Sequence, residues 1–279
     1  MFTSKLSVAL FGFLGLAAAV PSAHSHIHAE KKLARSSISS SGESELRARG
    51  PNCGSLAFGL TLDDCEHISS IGMADQGLNP TTNNGLIWIG NDGDYTFTFT
   101  NAAGYAGADN VPVTIVIWNF PAYDYEASFM NVRQPQISYS LPMTNSSVTI
   151  SVARDISGGF AALQNHNTAL SQYGQVDNTW GEFTTGDYAT VDVSRLVNMA
   201  GNAMDITVRD NGCVASMDRC VFECKNGADS CGDSGTYDLL GCDNGSQPGA
   251  TYGSYDGVNP DGGCQGWGAN GHLDIVLRN

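Results

Sequence analysis

From Gly50 onward the chain is a series of short apolar runs separated by turn residues. Residues 94–100 (Asp-Tyr-Thr-Phe-Thr-Phe-Thr) alternate aromatic and polar positions at period two, the pattern of a strand with one buried face. Residues 147–152 and 203–208 alternate in the same way. Residues 113–118 (Val-Thr-Ile-Val-Ile-Trp) are β-branched almost throughout and predict a strand central in a sheet. Residues 85–89 form a compact apolar run closed by the turn Gly90-Asn91-Asp92-Gly93, and residues 273–277 predict a last strand. Helical signals are thin: residues 160–163 allow one turn, and residues 193–199 another. Many short strands joined by Gly- and Asp-rich connections predict an all-β protein, a β-sandwich, and no repeat points to a solenoid or propeller. Residues 229–271, rich in Cys, Gly and Asp, read as a stapled loop excursion near the C-terminus.

The first 49 residues differ from the rest. Residues 1–19 read as a secretory signal, with Lys5 in the n-region, an apolar h-region over 8–16, and Ala17-Ala18-Ala19 as a cleavage site. Residues 20–49 are Ser-rich, lack a strand pattern and are expected to be a disordered propeptide or tether, with Lys31-Lys32 and Arg47-Ala48-Arg49 as processing sites. Residues 50–279 are then the single β-sandwich domain. No run reaches the length of a membrane span and no C-terminal apolar tail suggests a lipid anchor, so a secreted, extracellular or cell-wall location is expected.

Charge narrows the partners. The chain has 13 Lys plus Arg against 28 Asp plus Glu, a net charge of -15. Six of the basic residues but only three acidic ones lie in residues 1–49, so the domain is more acidic than the whole. Such a surface repels nucleic-acid phosphates and anionic membranes, which removes both as partners.

Eight cysteines, Cys53, Cys65, Cys213, Cys220, Cys224, Cys231, Cys242 and Cys264, fit four disulfides in an oxidising compartment. Local bridges Cys53–Cys65 and Cys213–Cys220 are the expected pairs. The competing reading is a zinc site on Cys220, Cys224 and Cys231, disfavoured because no histidine lies nearby.

The motifs Trp118-Asn119, Gly158-Gly159-Phe160, Thr-Trp-Gly-Glu-Phe at 179–183, and Asp192-Val193-Ser194, followed by Cys213 and Cys220, resemble a family of small secreted fungal proteins typified by the fourth numbered allergen of Aspergillus fumigatus. The likeness covers roughly residues 110–220, and His24, His26 and His28 are similar to that family's His-containing segment. A more distant likeness is to thaumatin-like proteins, disulfide-rich β-sandwiches with an acidic cleft that some members use on β-1,3-glucan. This implies a thaumatin-like sandwich, with Glu182 and Asp192 matching two cleft acids and Asn198 standing near the place of a third. The resemblance also implies host immunoglobulin as a partner.

The candidate chemistry follows. Glycoside hydrolysis needs two carboxyls flanking the scissile bond, and Glu182 with Asp192 is the sharpest pair. Trp180 and Trp267, beside glycines in expected loops, are the candidate sugar-stacking rings, whereas Trp88 and Trp118 read as core. Asp92, Asp94, Asp243, Asp256 and Asp261 lack calcium-loop spacing and read as solvated turns. Asn145 and Asn244 begin N-glycosylation motifs. Phosphate-binding, esterase-elbow and zinc-protease motifs do not appear, and no metal or cofactor is expected. The sequence thus predicts a non-enzymatic secreted or wall-associated protein with a cell-wall polysaccharide such as β-glucan as ligand. The alternatives are a weak β-1,3-glucan hydrolase or an effector that binds a host protein.

Overall fold

A computed structural model describes residues 50–104, 111–124 and 126–279. The signal and tether expected over residues 1–49 lie outside them. In chain order the elements are α1 (Leu62–Ser70), β1 (Ile87–Ile89), β2 (Tyr95–Asn101), β3 (Val113–Asn119), β4 (Ile137–Leu141), β5 (Ser147–Val152), β6 (Ser157–Gln164) and β7 (Trp180–Thr184). There follow β8 (Thr190–Ser194), β9 (Met204–Val208), β10 (Val214–Ala215), β11 (Val221–Cys224), β12 (Tyr237–Leu240), β13 (Ala250–Ser254), β14 (Pro260–Gln265) and β15 (His272–Leu277).

Two mixed sheets form. The first has six strands in the order β1-β5-β2-β15-β9-β10. The second runs β12-β11-β8-β7-β6-β3-β4, with β14 also hydrogen-bonded to β8 and β13 to β14. The pairs β2–β15 and β8–β11 are parallel. Strand β2 alternates as its sequence predicts, burying Tyr95, Phe97 and Phe99 and turning its threonines outward. Its rings meet the second sheet edge-on, Phe97 against Phe183 at 4.9 Å between centroids and Phe99 against Phe160 at 5.0 Å.

The second sheet is covered on its other face too. Val116, Trp118, Ala161, Leu163 and Trp180 pack there with Leu60, Ile68, Met73, Met130 and Val176 in a second apolar core. That explains the run at 160–163: it is strand β6, paired on both edges, and a strand buried on both faces carries an unbroken apolar run that periodicity cannot separate from a helical turn. Residues 193–199 likewise begin with the end of β8 and hold no helix. The one α-helix among the described residues, α1, has a capping box: the Thr61 hydroxyl accepts from the Asp64 backbone N–H at 3.2 Å, and the Asp64 carboxylate accepts from Thr61 N–H at 3.1 Å.

The disulfides are Cys53–Cys65, Cys213–Cys264, Cys220–Cys242 and Cys224–Cys231, with no free cysteine. Cys53–Cys65 is as expected. Cys213–Cys220 is corrected: strand β14 lies along β8, which brings Cys264 to Cys213 and leaves Cys220 to Cys242. All the sulfurs of the alternative zinc reading are in bridges. The Cys- and Gly-rich tail carries β12, β13 and β14 within it.

Phe97→Ala removes the ring that both Phe160 and Phe183 contact. Denaturant unfolding should show a loss of about 3–5 kcal/mol, the usual cost of emptying a buried phenylalanine site.

Candidate functional site

Strands β7 and β8 pair antiparallel with Glu182 directly opposite Asp192. Alternation sends Phe183, Val191 and Val193 into the main core and both carboxyls to the opposite face of the sheet. Gly159 stands opposite Glu182 on β6, where an added Cβ would fall 2.7 Å from the Trp118 ring. A larger residue there would displace the tryptophan.

The pair is side by side, as the two boxes in the sequence imply, but it is not in an open cleft. Glu182 is 1 % exposed and Asp192 is fully buried. Beside the pair, β14 hydrogen-bonds to β8 as its neighbour in the sheet, Cys264 opposite Val191 and Gln265 opposite Thr190. Gly263 sits so close to β8, at φ 137°, that a Cβ would lie 2.6 Å from the Val191 carbonyl oxygen. Tail residues reach the carboxyls: the charge of Asp261 on β14 acts on Asp192, and that of Glu182 acts on Tyr237 of β12.

Burial decides the electrostatics. Loss of water pushes the Glu182 carboxyl up to about 7, against a smaller opposing effect of a hydrogen bond from Ser194. Asp192 is pushed well above the ordinary carboxylate range by burial, then by the charges of Glu182 and Asp261. Burial also raises the Tyr237 phenol, aided by Tyr255, Glu182 and Asp256. Asp261, read from the sequence as a solvated turn, instead stands half-buried in strand β14 and acts on the pair. Tyr237 is a member of the cluster that the sequence reading did not single out.

The other candidates fall elsewhere. Trp180 begins strand β7 and packs edge-on against Trp118 at 4.8 Å, its indole N–H donating to the Val176 carbonyl. Trp267 follows β14 and packs against Tyr95 at 5.8 Å. Each is 2 % exposed, so neither offers a ring face to a ligand. Trp267 stands in a loop, as expected, but its ring turns into the core, whereas Trp180 stands in a strand whose neighbouring glycine admits a ring: a Cβ on Gly181 would overlap Phe160. Trp88 and Trp118 are buried, as read from the sequence. Asn198 accepts from the Ala200 N–H and donates to the Asp177 carbonyl, holding a turn. Asp256 ties the turn before β14 through the N–H groups of Val258 and Asn259. Asn145 and Asn244 are exposed. His24, His26 and His28 lie outside the described residues.

An open cleft lies on the tail side of the molecule. It encloses about 510 Å³ between the loop bearing Gln172 and Tyr173 and the segment running from Lys225 to Thr236. Amide, hydroxyl and charged groups (Gln172, Asn226, Asp233, Thr236, Lys225) line it around the one aromatic ring, Tyr173.

Residues 89–233 match the family described as the Allergen Asp f 4-like domain. No curated protein matches the chain. The matched span contains Glu182, Asp192 and Tyr173 but stops before the β13–β14 hairpin.

The raised carboxyls set the sign of a pH effect. The folded chain holds these protons to higher pH than the unfolded chain, whose glutamate titrates near 4.5. Stability is therefore greatest below that value and is lost as pH rises to about 7. The loss should be on the order of 3 kcal/mol, or roughly 5–10 °C in Tm. Thermal melts of the Glu182→Gln, Asp192→Asn double variant should lose most of that slope between pH 5 and pH 8.

Proposed function

Because the chain belongs to the Allergen Asp f 4-like family, we propose that it is a secreted, wall-associated protein that binds a cell-wall polysaccharide without hydrolysing it. The single observation that carries the non-hydrolytic part is the burial of Glu182 and Asp192. A glycosidase gives the sugar and a water access to its two carboxyls, and this pair is shut away from solvent. The binding part draws on the Tyr173 cleft instead. A neutral glycan offers hydroxyls to amides and carboxylates and a C–H face to an aromatic ring, and that is the composition of this cleft. Secretion draws support from the four disulfides and from the absence, among the described residues, of any helix long and apolar enough to cross a membrane.

A second reading, a weak β-1,3-glucan hydrolase, is favoured by the adjacent carboxyls with raised proton affinity. It requires the buried pair to open to solvent and substrate. The two readings separate in one experiment: cosedimentation of the purified protein with insoluble β-1,3-glucan, with reducing ends measured in the same tubes. We expect binding without reducing ends, roughly fivefold weaker in Tyr173→Ala, as loss of about 1 kcal/mol of ring contact implies, and unchanged in Glu182→Gln. Release of reducing ends that disappears in Glu182→Gln would establish the hydrolase. Failure to bind β-1,3-glucan, chitin or mannan would remove the glycan reading and leave a protein partner.

A further inference from the structure

A second polar cluster stands on the same sheet, away from the acid pair. Helix α1 places Asp64 and His67 three residues apart and so on one face. The turn after β6 brings His166 to them: its Nε2 lies 3.0 Å from Asp64 Oδ1, and the two imidazole rings are 5.7 Å apart between centroids. Both Asn165 and His166 hold positive φ, 52° and 51°, in that turn.

The tautomers are set by the partners. Asp64 Oδ2 accepts from the Thr61 N–H and hydroxyl, and Oδ1 accepts from the Thr114 hydroxyl, so the carboxylate stands as an acceptor. Nε2 of His166, 3.0 Å from Oδ1, is then the donor nitrogen, and in the neutral ring Nδ1 keeps its lone pair. His67 donates a hydrogen bond to the Thr168 backbone carbonyl. Its Nε2 has no hydrogen-bond partner although the residue is 8 % exposed. His272 makes the contrast: Thr96 lies 2.6 Å from its Nδ1 and Asp274 lies 3.1 Å from its Nε2, so both ring nitrogens are occupied.

We propose that His67 Nε2 and His166 Nδ1 are the protein ligands of a borderline divalent transition-metal ion, of the Zn²⁺ or Cu²⁺ class. Three arguments converge on it. A metal-bound histidine characteristically donates its second N–H to a carboxylate or a backbone carbonyl, and here one ring does each. A buried imidazole nitrogen without a partner is costly, and coordination removes that cost. Two nitrogen donors suit zinc or copper and not calcium or magnesium, which take oxygen. The His166 side chain is 29 % exposed, so water or a small anion completes the coordination from that side. Asp64 is a positioning residue, its oxygens already held by Thr114, Thr61 and His166. A rival thiol site is closed: Cys213, Cys220 and Cys264, the one group of three or more potential ligands found together among the described residues, are all in disulfides.

The test is calorimetric titration of the chelator-treated full chain with Zn²⁺, on a background in which His24, His26 and His28 are alanine so that the N-terminal histidines cannot contribute. One ion per chain is expected, with no heat from Ca²⁺ or Mg²⁺. With Cu²⁺ in place of Zn²⁺, the electron paramagnetic resonance spectrum should carry nitrogen hyperfine structure from two imidazoles. His166→Ala and His67→Gln should each weaken Zn²⁺ binding by roughly tenfold or more and lose one nitrogen from that spectrum; Asp64→Asn should weaken it roughly 10- to 100-fold while both nitrogens remain. If His67→Gln fails to fold, the partly exposed His166 decides. Absence of Zn²⁺ binding on this background, or binding that His166→Ala leaves unchanged, overturns the proposal.

Discussion

The second sheet is buried on both faces, and the rest of the molecule is organised by that fact. Strand β3 sends Ile115 and Ile117 into the core shared with the first sheet and Val116 and Trp118 into a separate core behind it. One cover is the first sheet, which keeps its own outer face polar through Thr96, Thr98 and Thr100. The other has no sheet to supply it. It is assembled from α1 and the segments that bring Met73, Met130 and Val176.

The acid pair shows what this arrangement does to chemistry. Alternation fixes Phe183 and Val191 inward, so Glu182 and Asp192 have to emerge on the far side. Were that side open, they would be two ionised carboxylates beside water. Buried, they become a proton-holding pair, because two adjacent charges in a dry site cost more than keeping a proton. The same residues thus read as a catalytic dyad in a sequence and as a buried acid in the fold. The difference is made by burial, to which residues far along the chain, Tyr237 and Asp261 among them, contribute.

The division between legible and illegible features has a physical reason. Local alternation revealed β2 and β9 because each has one wetter face. Strand β6 escaped because both its faces are dry. Helix α1 escaped although its capping box, Thr61 with Asp64, stands plainly in the sequence; a nine-residue helix between polar loops has too few apolar positions to show a period. What acts on Asp192, and what lies beside His166, depends on residues about 70 and 100 positions away in the chain, and no local pattern encodes such contacts. The burial of Trp180 and Trp267 is hidden for the same reason: Gly181 beside Trp180 marks the close approach of the Phe160 ring rather than a turn, and the loop that carries Trp267 turns its ring into the core.

The disulfides complete the same logic. None falls in β2, β3, β6 or β7, the strands that build the phenylalanine core and hold themselves by apolar burial. Cys53–Cys65 ties α1, and the other three tie the tail between Cys213 and Cys264. These segments are rich in Gly, Asp and Asn and have few apolar anchors (Ile68 on α1; Tyr237, Leu239 and Trp267 in the tail), so cross-linking adds to what those anchors supply. Cys213–Cys264 spans 51 residues, and in the chain-entropy account a bridge of that length restricts the unfolded tail most. It also fixes β14 beside β8. Cys224–Cys231, only 7 residues apart, shapes one wall of the Tyr173 cleft. The sheets therefore give the protein its stability, while the stapled segments give it its sites. An oxidising compartment is a condition for having those sites at all.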